Sequence, residues 1–369
     1  MRVLLTTDTV GGVWTYTKEL TEGLLQHGCS VTLVSFGPGP SGHHVAWTNS
    51  ATSSYRNHFR YISSTVPLEW MPDNDRSFTD AAPVLEQIAR DVRPDLFHSN
   101  QFCFGALNLN VPCLLVAHSD VLSWADACTP GGLEPSPWLT RYIRLVQQGL
   151  VRADAIVAPS AWMLGALGNH FALPAAQHVI PNGRSVPTSP DPPQGRHVQA
   201  VTAGRLDDPA KNLALLEQVR TLPVVVAGSL PASRRPSHLQ YRGVLSERDL
   251  LSLFRESEIY LAPSLYEPFG LAPLEAALCG CAIVAHDIPS LREVWGNAAL
   301  FFRTSADLER HLTALASNRS LLNRMQAASA HRAREFTRER MSDHYLALYR
   351  DLLTSSKPRS SPASPAYVH

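Results

Sequence analysis

Short apolar runs recur along this chain, and longer segments with apolar positions three and four apart lie between them. Val3-Leu4-Leu5-Thr6 reads as a strand, and the spacing over 15–27 predicts a helix. Further strands are expected at 30–35, 96–99, 113–117 and 155–158. Strands alternating with helices imply parallel βαβ units.

The alternation stops at 185–196, where four prolines stand among twelve residues. Such a stretch continues neither a helix nor a central strand, so it is read as a linker. Beyond it the pattern restarts. Strands are expected at 197–204, 224–228, 259–264 and 282–285, and helices at 212–222 and 248–257, the latter with Ser246 as N-cap. The expected organisation is therefore an α/β unit at 1–184, a linker at 185–196 and a second α/β unit at 197–336. Positions 337–353 form a last amphipathic helix with Met341, Tyr345, Leu348, Tyr349 and Leu352 on one face. Residues 354–369 are rich in Ser, Pro and Ala and read as a disordered tail.

Composition narrows the classes. The 369 residues carry 32 basic and 32 acidic side chains, a balance that argues against a nucleic-acid binder. None of the six cysteines forms a CxxC pair, so they read as reduced core thiols of a cytoplasmic protein. The N-terminus lacks the apolar stretch of a signal peptide, and no run approaches the ~20 apolar residues of a membrane span. Only Lys18, Lys211 and Lys357 among the basic residues are lysines.

The most informative segment is Ser264-Leu265-Tyr266-Glu267-Pro268-Phe269-Gly270-Leu271-Ala272-Pro273-Leu274-Glu275. A strand precedes it and a helix opens inside it. It presents backbone N–H groups, a helix N-terminus and two carboxylates, Glu267 and Glu275, to one small volume. Helix N-termini attract phosphate, and carboxylates accept hydrogen bonds from sugar hydroxyls. Gly204-Arg205-Leu206-Asp207-Asp208-Pro209-Ala210-Lys211-Asn212 follows another strand, so Arg205 and Lys211 can converge on one pyrophosphate. The alternative for Arg205 is a surface pair with Asp207 or Asp208. Gly11 and Gly12 lie between the first strand and first helix and permit close backbone approach to a ligand, but GxGxxG is absent. His118 ends a buried strand and so faces a cleft. No convincing Asp-x-Asp metal motif stands on a strand-end loop, and no metal site is assigned.

This pattern resembles the Glu-x7-Glu motif of retaining glycosyltransferases with the GT-B fold, in particular those of the family 4 type. The resemblance runs from the Gly11-Gly12 turn to the last helix. It implies two Rossmann-like domains with a cleft between them, the first binding an acceptor and the second a nucleotide sugar. It also implies that the last helix crosses back onto the first domain. Carried over, Glu267 contacts donor-sugar hydroxyls, Glu275 the ribose, and Arg205 and Lys211 the leaving diphosphate. His118 contacts the donor sugar. Gly11, Gly12, Phe269, Gly270 and Leu271 line the donor site. Arg242-Gly243-Val244-Leu245-Ser246 is similar to a segment whose backbone reads the nucleobase, through Val244, and Ile180-Pro181-Asn182-Gly183 to the family's turn at the domain junction.

The implied activity is retaining, metal-independent transfer of a hexose from a nucleoside diphosphate sugar to an acceptor hydroxyl. No cofactor is expected, and the acceptor is a glycan, a lipid-linked sugar or a small molecule. Alternatives are a nucleotide-sugar hydrolase or epimerase on the same fold, a nicotinamide-dependent oxidoreductase, or a non-catalytic sugar-nucleotide sensor. The stripe of Trp138, Tyr142, Leu145 and Val146 could make a weak peripheral membrane contact, but packing on its own sheet is the commoner use of such a stripe.

Overall fold

The computed structural model describes residues 1–186, 196–231, 233 and 238–355. Thirteen strands are present among them: β1 (Arg2–Asp8), β2 (Ser30–Phe36), β3 (Phe59–Ser63), β4 (Leu96–Ser99), β5 (Cys113–Val116), β6 (Ala155–Ala158) and β7 (Ala176–Val179), then β8 (His197–Ala203), β9 (Val224–Ala227), β10 (Gln240–Gly243), β11 (Ser257–Ala262), β12 (Ala282–His286) and β13 (Ala299–Phe302). They form a seven-stranded sheet in the order β3-β2-β1-β4-β5-β6-β7 and a six-stranded sheet in the order β10-β9-β8-β11-β12-β13. Every pairing is parallel. Central strands such as β1, β5 and β6 are buried along nearly their whole length, as sheets covered on both faces require.

In each sheet the strand order reverses once, between β1 and β4 and between β8 and β11. Crevices for ligands open at such switch points, beyond the carboxyl ends of the strands. The loops leaving β1, β8 and β11 carry Gly11-Gly12, Arg205 and Glu267.

Each sheet is sandwiched between two apolar clusters. The helix Pro137–Arg152 buries Tyr142, Leu145 and Val146 in one of them, so its apolar stripe faces its own sheet. The last helix, Arg338–Ser355, buries Met341, Tyr345, Leu348, Tyr349 and Leu352 among Leu5, Leu20 and Leu24 of the first unit. Its approach is close, because a Cβ on Gly23 would lie 2.6 Å from Cβ of Ser342.

Several boundaries differ from the pattern-based expectation. The first helix begins at Gly12, three residues early, with Gly11 (φ 67°) preceding it in a backbone conformation that glycine adopts readily. The helix expected at 212–222 shrinks to a 3-10 turn, Pro209–Lys211, and the single turn Leu213–Leu216. Asn212 breaks it: its backbone is left-handed (φ 47°), and its side-chain amide donates to the Pro263 carbonyl at 3.1 Å. The last helix continues to Ser355, and the tail reading beyond it falls on 356–369, outside the described residues. Most of the linker, 187–195, is also outside them. None of the six cysteines is in a disulfide. No described helix is long and apolar enough to cross a membrane.

Candidate functional site

The site forms where the loops after β1, β8 and β11 meet. The loop after β11 turns through Gly270, whose φ of 91° favours glycine, and leads into the helix Leu271–Leu278. The N–H groups of Leu271 and Ala272 have no acceptor within the helix, which leaves a positive dipole end facing outward. Gly12 lies directly opposite. A Cβ placed there would sit 3.4 Å from Cδ1 of Leu271, so the first unit's glycine turn faces the second unit's helix start.

Glu267 is joined to Lys211. Lys211 Nζ lies 2.5 Å from Glu267 Oε2, which also accepts from Ser264 Oγ at 3.2 Å. Asn212 bonded to Pro263, and Leu265 N–H donating to the Ala210 carbonyl at 2.8 Å, lock the two loops together. Arg205 is placed differently. Its side chain is 55% exposed and reaches Asp208 at 2.7 Å. It therefore makes the surface pair that the sequence offered as the alternative, at the mouth of the cleft. Asp208 in turn accepts from the Trp124 indole of the first unit at 3.1 Å.

His118 follows β5 as expected. Its Nε2 is 2.9 Å from the Asn100 side-chain oxygen, and its ring meets Tyr16 edge-on at 4.3 Å. Burial pushes its pKa down to about 3, so the ring is neutral near neutral pH and acts as a hydrogen-bonding group rather than a cation. His98 is also held neutral, at about 3, by burial first and by the neighbouring His118. It is fully enclosed between Tyr16 and Tyr349 and serves the core.

Two expected donor contacts fall on the main chain. Phe269 is buried, with its ring packed edge-on against Phe336 at 5.3 Å, so only its main chain is available to a ligand. Core packing explains why an aromatic stands there. Val244 is 72% exposed on the loop after β10, where a backbone contact is open to a ligand but its side chain touches little.

Glu275 holds the largest surprise. It does not stand open in the cleft. Arg184 Nε donates to its Oε1 at 2.7 Å, and the same guanidinium is bonded to Glu19 and Glu247. Burial raises Glu275, and Arg184 pulls it back. Burial would also raise Glu247, but Arg184 and Lys18 together bring it down to about 2. Arg184 follows the Pro181-Asn182-Gly183 turn and was not singled out from sequence. The available signal was Glu19, a carboxylate on the buried side of the first helix beside Tyr16 and Leu20. A buried carboxylate demands a cationic partner from elsewhere.

A further buried carboxylate, Asp8, ends β1 beside the glycine turn. Its Oδ1 accepts from the Val10 N–H at 2.8 Å. Burial pushes its pKa up to about 7, Glu69 adds to the rise, and the Val10 bond and Arg205 oppose it.

Two family models match most of the chain. Residues 10–186 match the one described as Glycosyltransferase Family 4, and residues 211–332 the one described as Glycosyl transferases group 1. A phosphatidyl-myo-inositol mannosyltransferase of Mycolicibacterium smegmatis is 26% identical over 322 residues, which covers 78% of this chain and 75% of that protein. The serotype-specific mannosyltransferase WbdA of Escherichia coli is 30% identical over 123 residues, 33% of this chain but only 15% of that protein. Among solved structures, HepE of Anabaena in complex with UDP and glucose superimposes with a TM-score of 0.73 at 15% identity, covering 95% of this chain and 100% of that one. A sucrose-phosphate synthase of Thermosynechococcus elongatus gives 0.71 at 17% identity, covering 96% and 100%. At these identities the structural likeness carries the fold, and the two-sheet arrangement is GT-B.

Proposed function

We propose that this chain, which belongs to the family 4-type glycosyltransferases, moves a hexose from a nucleoside diphosphate sugar to an acceptor hydroxyl and retains the anomeric configuration. The observation that carries the reading is the Lys211–Glu267 pair set beside the start of the helix Leu271–Leu278 and opposite Gly12. It combines a cation and outward N–H groups, suited to a diphosphate, with a carboxylate suited to sugar hydroxyls. The binding of UDP, glucose and UDP-glucose by HepE supports a nucleotide-sugar donor.

In this reading the diphosphate rests on the helix N-terminus. Lys211 turns from Glu267 to the departing phosphate, and Arg205 swings in from the cleft mouth. Together they offset the charge that develops as the glycosidic bond breaks, so no metal ion is required for that task. Glu267, released from Lys211, accepts hydrogen bonds from the hexose. His118, being neutral, orients the sugar rather than transferring a proton. The leaving phosphate helps to deprotonate the acceptor on the same face, which preserves configuration. Closure of the two units excludes water, the competing acceptor.

The test is release of nucleoside diphosphate from a panel of UDP-, GDP- and ADP-hexoses with and without EDTA, followed by NMR of the product's anomeric centre. Loss of activity in EDTA that Mn²⁺ or Mg²⁺ restores, or an inverted product, would overturn the corresponding part of the reading.

A further inference from the structure

Arg184 has a 2% exposed side chain and sits where three elements meet. Glu19 comes from the first helix, Gly12–Gln26. Glu247 opens the helix Glu247–Glu256, and Glu275 lies in the helix Leu271–Leu278. A guanidinium presents its donors in a rigid planar fork, so it fixes the direction of each acceptor as well as its charge.

The second oxygens of the three carboxylates differ. Glu19 Oε2 accepts from Arg338 Nε at 2.6 Å and from the Ser185 N–H at 3.3 Å. Glu247 Oε2 accepts from Lys18 Nζ at 2.9 Å. Glu275 Oε2 has no hydrogen-bond partner among the described residues. Glu275 alone of the three therefore keeps an acceptor oxygen open, although its side chain is only 10% exposed. That oxygen is not sealed from solvent, so a ligand hydroxyl can reach it and donate to it.

We infer that Arg184 is a positioning residue, which clamps one oxygen of Glu275 so that the other is presented in a fixed direction to a ribose hydroxyl of the donor nucleotide. The inference rests on the nucleotide-sugar reading of the site. It adds a coupling, because the guanidinium that orients Glu275 also grips Glu19 of the first unit. The nucleotide subsite is thus assembled with the two units held together, and a change in their mutual pose disturbs the aim of Glu275.

The experiment uses the full-length chain and titrates UDP, GDP and ADP by calorimetry into wild type, Arg184→Met, Arg184→Lys and Glu275→Gln. Arg184→Met should weaken the preferred diphosphate about tenfold or more, the size of one charge-assisted hydrogen bond. The loss should shrink as pH rises. Burial, with Glu247 and Glu19, pushes Glu275 up, and without Arg184 nothing comparable pulls it down. Tyr260 and Cys279, the other titratable groups facing Glu275, stay protonated near neutral pH because burial raises both. A purely structural role would not move this pH profile. In a Glu275→Gln background the Arg184 substitution should cost no further affinity.

Arg184→Lys keeps the charge and loses the fork, so it tests direction in a chain that still folds if the methionine variant does not. It too should weaken binding, with a smaller fall in melting temperature than Arg184→Met because the charge is kept. Diphosphate binding as tight as wild type in Arg184→Lys, or tighter in either variant, overturns the inference and leaves the nucleotide-sugar reading standing. Failure of the wild type to bind any of the three diphosphates overturns both.

Discussion

Lys211 Nζ lies 2.5 Å from Glu267 Oε2, across 56 positions of sequence. The two residues leave adjacent strands, β8 and β11, at the switch point of the second sheet. Each is only partly exposed, 23% and 17%, so the pair is desolvated enough to matter and open enough to be entered. A ligand phosphate would compete with Glu267 for the ammonium, and sugar hydroxyls would compete with the ammonium for Glu267. On the proposed reading, the ion pair is a resting arrangement that both halves of a nucleotide sugar replace.

This gives a division of labour. Lys211→Ala should lower kcat by ~10²-fold, as loss of a preorganised transition-state donor does. Glu267→Ala should reduce transfer while leaving affinity for the free diphosphate near that of wild type, because its partner Lys211 remains. Glu275→Ala should weaken the free diphosphate. Interactions made equally in ground and transition states register in binding, and those made only in the transition state register in kcat. Calorimetry with the diphosphate and initial rates on the full donor separate the two. Equal losses of diphosphate affinity in both glutamate variants would place Glu267 in the nucleotide subsite as well.

Arg205 is predicted to separate activity from stability. Its side chain pairs with Asp208, and an exposed pair of this kind contributes little to folding. Arg205→Ala should leave unfolding free energy within about 0.5 kcal/mol of wild type. The same change should reduce kcat by ~10²-fold if the side chain swings onto the leaving group. Urea titration and steady-state rates measure both. Near-wild-type turnover would confine Arg205 to its surface pair.

Asp8 is predicted to weaken the fold as the solution goes from acid to neutral. Its pKa is about 7 in the folded chain, above the value of 3.8 it has when unfolded. The folded state therefore holds its proton across that window, and stability falls as pH rises from about 4 to about 7. Asp8→Asn removes the effect. The variant should melt close to wild type at pH 4 and above it at pH 8. His98 and His118, held neutral at about 3, act in the opposite sense, since the unfolded chain takes up their protons below about 6.5. Comparing the variant with wild type at each pH cancels their contribution. A melting difference that does not grow with pH would mean Asp8 is ionised throughout.

The interior of the fold was legible and its margins were not. The nine strands anticipated from apolar runs are the interior ones, including β1, β5, β8 and β11. The four that escaped, β3, β7, β10 and β13, are the outer strands of the two sheets. Two of them, Ala176-Gln177-His178-Val179 and Gln240-Tyr241-Arg242-Gly243, contain no apolar run to detect, whereas β13, Ala299-Leu300-Phe301-Phe302, is apolar throughout and its omission has no such explanation. Lys211, Glu267 and Gly12 could be brought together from their places at strand ends. Arg184 could not, because its partners are 165, 63 and 91 positions away and the need for it is visible only once Glu19 is buried.

The crossing helix offers a last test, independent of the chemistry. Tyr349 is buried on Arg338–Ser355, and its hydroxyl lies 2.6 Å from His98 Nδ1 at the end of β4. The His98 ring is neutral, so one of its nitrogens donates and the other accepts. Its second nitrogen is 3.4 Å from the Tyr16 hydroxyl, a long contact that cannot compensate for the first. Tyr349→Phe keeps the ring packing and strands a buried polar atom on His98. The expected cost is about 1–3 kcal/mol, the penalty for an enclosed group without its partner. The midpoint of urea unfolding should fall with its slope unchanged, since the folded surface is the same. Turnover per folded molecule should stay at the wild-type level, because none of these residues touches Lys211, Glu267 or Glu275. A fall in kcat without a shift in midpoint would mean that the crossing helix sets the pose of the two units rather than merely holding the first one closed.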